Sequence, residues 1–180
     1  MNTEMQPPEL GTNSTIQQVR FISEKRAYEL EGHTFHGMIS ITEPSRTAPI
    51  DKDKWGALLR LRFHDIDKHR QNYILFNHKY AKRIINWLKE NEDILTVVHV
   101  HCAQGISRSA AVAKFIAEVY GLEFPNTYAL YNKHVYAELR KYYYKYDPIA
   151  DSPFREEATK KSNDQYDIRF AKDDNDDDNE

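Results

Sequence analysis

One cysteine and one arginine stand at a spacing that suits the binding and attack of a phosphate group. The sequence reads His-Cys-Ala-Gln-Gly-Ile-Ser-Arg-Ser from His101 to Ser109, with five residues between Cys102 and Arg108. A loop of this length can turn successive backbone N–H groups inward and so form a cradle for an anion. A guanidinium beside that cradle can bind two phosphate oxygens at once, which an ammonium group does less well. The pattern therefore predicts a loop that binds a phosphoryl group.

Cys102 stands where such a cradle would stabilise a thiolate. An ordinary cysteine has a pKa near 8.5, and a positive potential around the sulfur favours ionisation at neutral pH. A thiolate can attack phosphorus and form a cysteinyl-phosphate. Gly105, in the middle of the loop, permits a backbone conformation or a close approach that a side chain would block. We therefore predict Cys102 as the nucleophile and the following phosphate-binding residues: Ala103, Gln104, Gly105, Ile106, Ser107 and Arg108.

The segment from His101 to Ser109 resembles the signature loop of the protein tyrosine phosphatase superfamily. The segment Leu-Arg-Leu-Arg-Phe-His-Asp-Ile-Asp at residues 59–67 most resembles the corresponding segment of small dual-specificity-like phosphatases of bacterial or phage type. The resemblance implies the cysteine-phosphatase fold and a metal-independent phosphomonoester hydrolase of the tyrosine/dual-specificity kind, with no cofactor. It also implies that Ser109 assists the thiolate and the breakdown of the phosphoenzyme, and that His101 orders the loop through hydrogen bonds.

A general acid must protonate the departing oxygen, because an alkoxide or phenoxide is a poor leaving group. In the family that the loop resembles, this acid is an aspartate on a loop some thirty-odd residues before the cysteine. Asp65 and Asp67 are the acids in reach here, just after a predicted strand. In the dual-specificity members the aspartate comes straight after the strand. The resemblance therefore favours Asp65, with Asp67 as the alternative.

The elements that would position these residues alternate between short apolar runs and amphipathic stretches. Ser23 is a candidate N-cap for the first helix, and Gly121 a candidate stop for a largely apolar helix. This alternation predicts an α/β fold, with a mostly parallel central sheet of about four to five strands flanked by helices. The predicted strands are 18–22, 38–42, 57–63 and 94–100, and the predicted helices begin at Ser23 and cover 76–90, 108–120 and 126–146.

Composition bounds the organisation of the chain. The length of 180 residues and the hydrophobic share of 40% fit one domain with tails. We predict a disordered N-terminal tail at 1–15, a catalytic domain at 16–150, and a charged, disordered C-terminal tail at 151–180. The one cysteine permits neither an internal disulfide nor a cysteine-based zinc cluster. Since no apolar run has the length of a membrane span, we expect a cytoplasmic protein without a membrane partner.

Several other functions remain to be weighed against phosphatase activity. His64 and His69 flank the two aspartates, but a solvated polar loop is commoner than a metal site, and we expect no metal. An inactive phospho-binding module normally lacks the cysteine or the arginine, and both are present. An RNA 5′-phosphatase or another non-protein phosphatase uses the same loop and stays open. Residues 1–155 have a net charge of +3, since residues 156–180 carry −6 of the total of −3, and this is too weakly basic to indicate nucleic acid by itself. The expected partner is a phosphorylated substrate, in the first place a phosphoprotein.

Overall fold

The computed structural model describes residues 7–144 of the chain. Four strands and four helices alternate in the order that the sequence predicts, with one 3-10 turn between the second and third strands. In chain order they are β1 (Gln18–Ser23), α1 (Glu24–Glu29), β2 (His33–Thr42), the 3-10 turn (Lys52–Lys54), β3 (Trp55–Arg62), α2 (His78–Asn91), β4 (Val97–Cys102), α3 (Arg108–Tyr120) and α4 (Lys133–Tyr144).

The four strands form one sheet in the order β1-β4-β2-β3, and every neighbouring pair is parallel. The predicted α/β class with a parallel sheet flanked by helices is confirmed. Because parallel strands share their direction, their carboxyl ends meet at one edge of the sheet. Ser23 pairs with Cys102 and Thr42 pairs with Arg62 at this edge. The residues that follow these strands are therefore brought together, and this edge is where ligands bind in open α/β sheets.

Alternate residues of the central strands enter two separate cores. Ile39 and Ile41 of β2 point to the larger core, which holds the apolar faces of α2, α3 and α4. Met38 points to the smaller core, which is closed by Ala27 of α1 and by Trp55. Both faces of β2 are covered from residue 37 to residue 42, and both faces of β4 from residue 98 to residue 102, as is usual for central strands of a parallel sheet.

The ends of several elements differ from the predicted ones because hydrogen bonds to side chains and turns intervene. The Asn77 side chain accepts from the backbone of Lys79, so α2 begins after Asn77. β4 begins at Val97 because the N–H groups of Ile94 and Leu95 both close a turn on the Asn91 carbonyl. The last helix begins at Lys133 and not at 126, because the segment from 126 onward forms only one turn, closed by the N–H of Tyr128 on the carbonyl of Pro125, and the side chain of Asn132 caps the helix.

The predicted N-terminal tail differs from the structure over the residues that the structure describes. Leu10 is buried, and its N–H donates to the hydroxyl of Tyr143 at 3.0 Å. The N–H of Gly11 donates to the carboxylate of Glu92 at 2.8 Å, and the hydroxyl of Thr15 donates to the backbone carbonyl of Leu95, just before β4, at 2.8 Å. Partners far along the chain thus hold a segment whose own sequence shows no apolar periodicity. The predicted C-terminal tail lies outside the described residues.

Among the helices of residues 7–144, none combines the length and the apolar character that a membrane crossing requires.

Candidate active site

The loop from Cys102 to Arg108 joins the central strand β4 to the buried helix α3 at the carboxyl edge of the sheet. Cys102 is the last residue of β4, and Arg108 is the first residue of α3. The backbone N–H of Glu24 donates to the carbonyl oxygen of Ala103 at 3.3 Å, so the first turn of α1 rests against the start of the loop. The loop is therefore fixed on one side by the neighbouring β1–α1 unit.

Gly105 is the one loop residue whose place excludes a side chain. Its φ of +70° lies in the left-handed region, which favours glycine. A Cβ at this position would lie 2.3 Å from the backbone nitrogen of Ser23. Both the backbone angle and the space therefore require glycine, as the sequence pattern predicts.

The N-terminus of α3 points its free N–H groups at this loop. Ser107 occupies the N-cap position, but its side chain does not cap the helix. Its hydroxyl donates instead to Oδ1 of Asp65 at 2.8 Å. The first N–H groups of a helix have no partner inside the helix and carry a partial positive charge. They are therefore available to an anion held in the loop.

Cys102 is buried at the base of the loop, and its thiol is shifted toward ionisation. Burial by itself raises the pKa of the thiol, but four hydrogen bonds outweigh it and the net pKa is lowered. One comes from the hydroxyl of Ser109, 3.1 Å from Sγ, and the other three come from the backbone N–H groups of Ser109, Gly105 and Ile106. All of these donors stabilise negative charge on sulfur, and a thiolate is the reactive form of cysteine.

The guanidinium of Arg108 is almost fully buried, with 3% of the side chain exposed. Nη1 donates to the carbonyl oxygen of Phe63 at 2.7 Å, and Nη2 forms an ion pair with Glu43 at 2.8 Å. Within residues 7–144, Nε has no hydrogen-bond partner, and it lies 3.9 Å from Oδ2 of Asp65. A buried N–H without an acceptor is costly, so a bound oxyanion would satisfy it.

The structure places the two candidate acids differently. Oδ1 of Asp65 accepts hydrogen bonds from Ser107 and from Nδ2 of Asn132, each at 2.8 Å, so this carboxylate lies beside the loop. Asp67 is exposed, and its side chain makes no hydrogen bond or ion pair with any residue from 7 to 144. Of the two, Asp65 is therefore the acid that the fold brings to Ser107 and Arg108 of the loop.

His101 is fully buried beneath the loop, and its Nε2 hydrogen-bonds the hydroxyl of Ser40 on β2 at 2.7 Å. Burial is the main reason that the pKa of His101 is lowered to about 4, so its imidazole is neutral at pH 7. His99 faces the same way along β4 but contacts His36 and Trp55 instead. Across residues 7–144 no group of histidine, cysteine and acidic side chains is arranged to hold a metal ion.

Three residues at the site were not predicted from the sequence. Glu43 pairs with Arg108, Asn132 binds Asp65, and the hydroxyl of Tyr128 donates to the carbonyl oxygen of Ile106 at 2.7 Å. Glu43 directly follows β2, so the rule that ligands gather after parallel strands was a signal for it. Asn132 and Tyr128 lie before the last helix, and nothing in their local sequence points to the loop.

Comparisons with known proteins give one structural likeness. No protein-family model matches the chain, and no curated protein matches it. Among solved structures, the crystal structure of Tk-PTP in the active form is similar, with a TM-score of 0.40 and 18% sequence identity. The alignment covers 87% of this chain and 98% of that chain.

Proposed function

We propose that this protein is a phosphomonoester hydrolase that works through a cysteinyl-phosphate on Cys102, as a protein tyrosine or dual-specificity phosphatase does. The observation that carries the proposal is a sulfur whose pKa is lowered by one hydroxyl and three backbone N–H groups, on a loop that leads into a helix N-terminus. Donors arranged in this way favour an anion on sulfur and can hold a second anion, the phosphoryl group, beside it.

The first step transfers the phosphoryl group to the protein. The Cys102 thiolate forms a bond to phosphorus while the bond from phosphorus to the substrate oxygen breaks. The departing oxygen takes a proton from the carboxyl group of Asp65. Arg108 and the inward N–H groups hold the nonbridging phosphoryl oxygens, and the unpartnered Nε of Arg108 gains its acceptor.

The second step releases phosphate. A water molecule attacks the cysteinyl-phosphate, Asp65 takes one proton from that water, and the bond from sulfur to phosphorus breaks. Cys102 leaves as a thiolate, which the hydroxyl of Ser109 stabilises at 3.1 Å. Inorganic phosphate is the product, and the starting protonation states are restored.

The proposed substrate is a phosphoprotein, and the test includes the other substrate classes. Hydrolysis of a phosphotyrosyl peptide, a phosphoseryl peptide and a 5′-phosphorylated RNA oligonucleotide would be measured in the presence of EDTA. We expect the phosphopeptides to be hydrolysed, and turnover of the RNA alone would replace the phosphoprotein assignment by an RNA 5′-phosphatase. Full activity of Cys102→Ser would refute the mechanism.

The role of Asp65 is tested with two substrates that differ only in their leaving group. Asp65→Asn should lower kcat about 10²-fold or more on phenyl phosphate, the range that a general acid supplies. The loss should be smaller on p-nitrophenyl phosphate, because its leaving group needs less help from a proton. Asp67→Asn is the matched control and should behave as the wild type on both. Equal losses on the two substrates would exclude Asp65 as the proton donor.

A further inference from the structure

Three carbonyl oxygens of the loop are each held by a donor that lies outside the loop. Two of the donors are backbone N–H groups and the third is a side-chain hydroxyl. The pairs, with the carbonyl first, are Ala103 with the N–H of Glu24 at 3.3 Å, Ile106 with the hydroxyl of Tyr128 at 2.7 Å, and Ser107 with the N–H of Asn132 at 3.1 Å.

Holding a carbonyl outward fixes the direction of the next N–H. A trans peptide unit is planar, and its C=O and N–H point in opposite directions. Residues 7–144 contain no cis peptide bond. When the carbonyl of Ile106 is directed outward, the N–H of Ser107 must therefore be directed inward, toward the space that an anion would fill. The outer hydrogen bonds thus determine the donors of the cradle.

Tyr128 is the donor whose hydrogen bond a single-atom change can remove. Its ring is packed between Phe21, with centroids 5.0 Å apart, and Phe124, with centroids 6.1 Å apart. The ring position therefore does not depend on the hydroxyl. Burial and the nearby negative charge of Cys102 raise the pKa of Tyr128, so the phenol keeps the proton that it donates.

We propose that Tyr128 is a positioning residue, whose hydroxyl turns the N–H of Ser107 toward the oxygens of the bound phosphoryl group. The inference rests on the proposed phosphatase function, since it assigns one donor of that same site. Tyr128 itself touches neither the substrate nor the sulfur in this role.

The test is the affinity of the full chain for tungstate, a stable tetrahedral dianion, measured by titration calorimetry without any turnover. Tyr128→Phe should bind tungstate about tenfold more weakly, the lower end of what one hydrogen bond to a charged group contributes. Tyr80→Phe is the matched control, because the Tyr80 hydroxyl also donates to a backbone carbonyl, that of Arg62 at 2.8 Å. Its tungstate affinity should equal that of the wild type.

A second measurement separates this role from general loosening of the loop. The largest contributions to the lowered pKa of Cys102 come from donors of Ser109, Gly105 and Ile106, and not from the N–H of Ser107. The pH profile of Cys102 alkylation should therefore be the same in Tyr128→Phe and in the wild type. A profile displaced to higher pH would show that the hydroxyl supports the whole loop, which overturns the assignment to Ser107.

The remaining outcomes distinguish the inference from the proposed function. Tungstate binding of equal strength in the wild type and in Tyr128→Phe overturns the inference alone. No tungstate binding by the wild type overturns the proposed function and, with it, this inference.

Discussion

Replacing Ser109 by alanine tests how the structure lowers the pKa of the Cys102 thiol. Ser109 is fully buried in the first turn of α3, and its Oγ lies 3.1 Å from the sulfur. Two alanines, Ala110 and Ala111, follow Ser109 in the helix, so an alanine side chain is compatible with this turn. The substitution removes one of four donors and leaves the three backbone N–H groups in place.

The magnitude follows from the value of one hydrogen bond to an ionised group. Such a bond contributes about 1.5–3 kcal/mol, and a sulfur acceptor belongs at the lower end of that range. A loss of about 1.5 kcal/mol corresponds to a roughly tenfold smaller thiolate population at any pH below the pKa. The rate of alkylation at such a pH should fall by the same factor in Ser109→Ala.

The assay is alkylation by iodoacetamide across a pH series, followed by intact-mass spectrometry. Because Cys102 is the one cysteine of the chain, the label reports on this residue alone. Ser107→Ala is the matched control. It removes another hydroxyl of the same loop, but this hydroxyl donates to Asp65 and not to the sulfur. Its alkylation profile should coincide with that of the wild type.

Two results would refute this reasoning. An unchanged alkylation profile in Ser109→Ala would mean that the backbone N–H groups alone set the ionisation of Cys102. An equal displacement in Ser107→Ala would mean that the hydroxyl of Ser109 has no special role and that any change in the loop has the same effect.

Two predictions concern stability. Leu10→Ala should lower the free energy of unfolding by about 2 kcal/mol, because Leu10 is buried in the larger core. Leu130→Ala is the control, because this residue is 66% exposed, and it should leave the midpoint of urea unfolding unchanged. Equal midpoints in the two variants would contradict the packing of the N-terminal segment. Burial lowers the pKa of His99 to about 4 from an ordinary value near 6.5. Between these two pH values His99 is therefore protonated in the unfolded chain and neutral in the folded chain. The free energy of unfolding should therefore be highest above pH 6.5 and should fall by about 3 kcal/mol on account of this residue as the pH falls toward 4. His99→Gln should show a shallower dependence of the unfolding free energy on pH than the wild type.

Local pattern was sufficient where a single element decides the outcome. The parallel α/β class follows from alternating apolar runs and amphipathic stretches, and α3 begins and ends at the predicted residues because its apolar face and the Gly121 stop are both local. The need for glycine at position 105 was also predicted from the loop alone. The left-handed φ of Gly105 is local, but the close approach of Ser23 comes from a neighbouring strand.

The ends of the strands and of the last helix could not be predicted with the same accuracy. β4 is displaced from the predicted run because the turn at the end of α2 takes up Ile94 and Leu95. The last helix starts late because Asn132 is held by the site and caps the helix from there. In each case a contact with another element outweighs the propensity of the segment itself.

The sequence by itself determined which residue types stand in the loop, a cysteine, an arginine and a glycine, and their spacing predicts an anion cradle. Tertiary structure alone decided which groups serve that cradle, because they come from four other parts of the chain that the parallel sheet brings to one edge. Asp65 is distinguished from Asp67 by its contacts with Ser107 and Asn132, not by its position in the sequence. Glu43 is likewise placed on Arg108 by the pairing of β2 with β4, a contact that arises only when the sheet has formed.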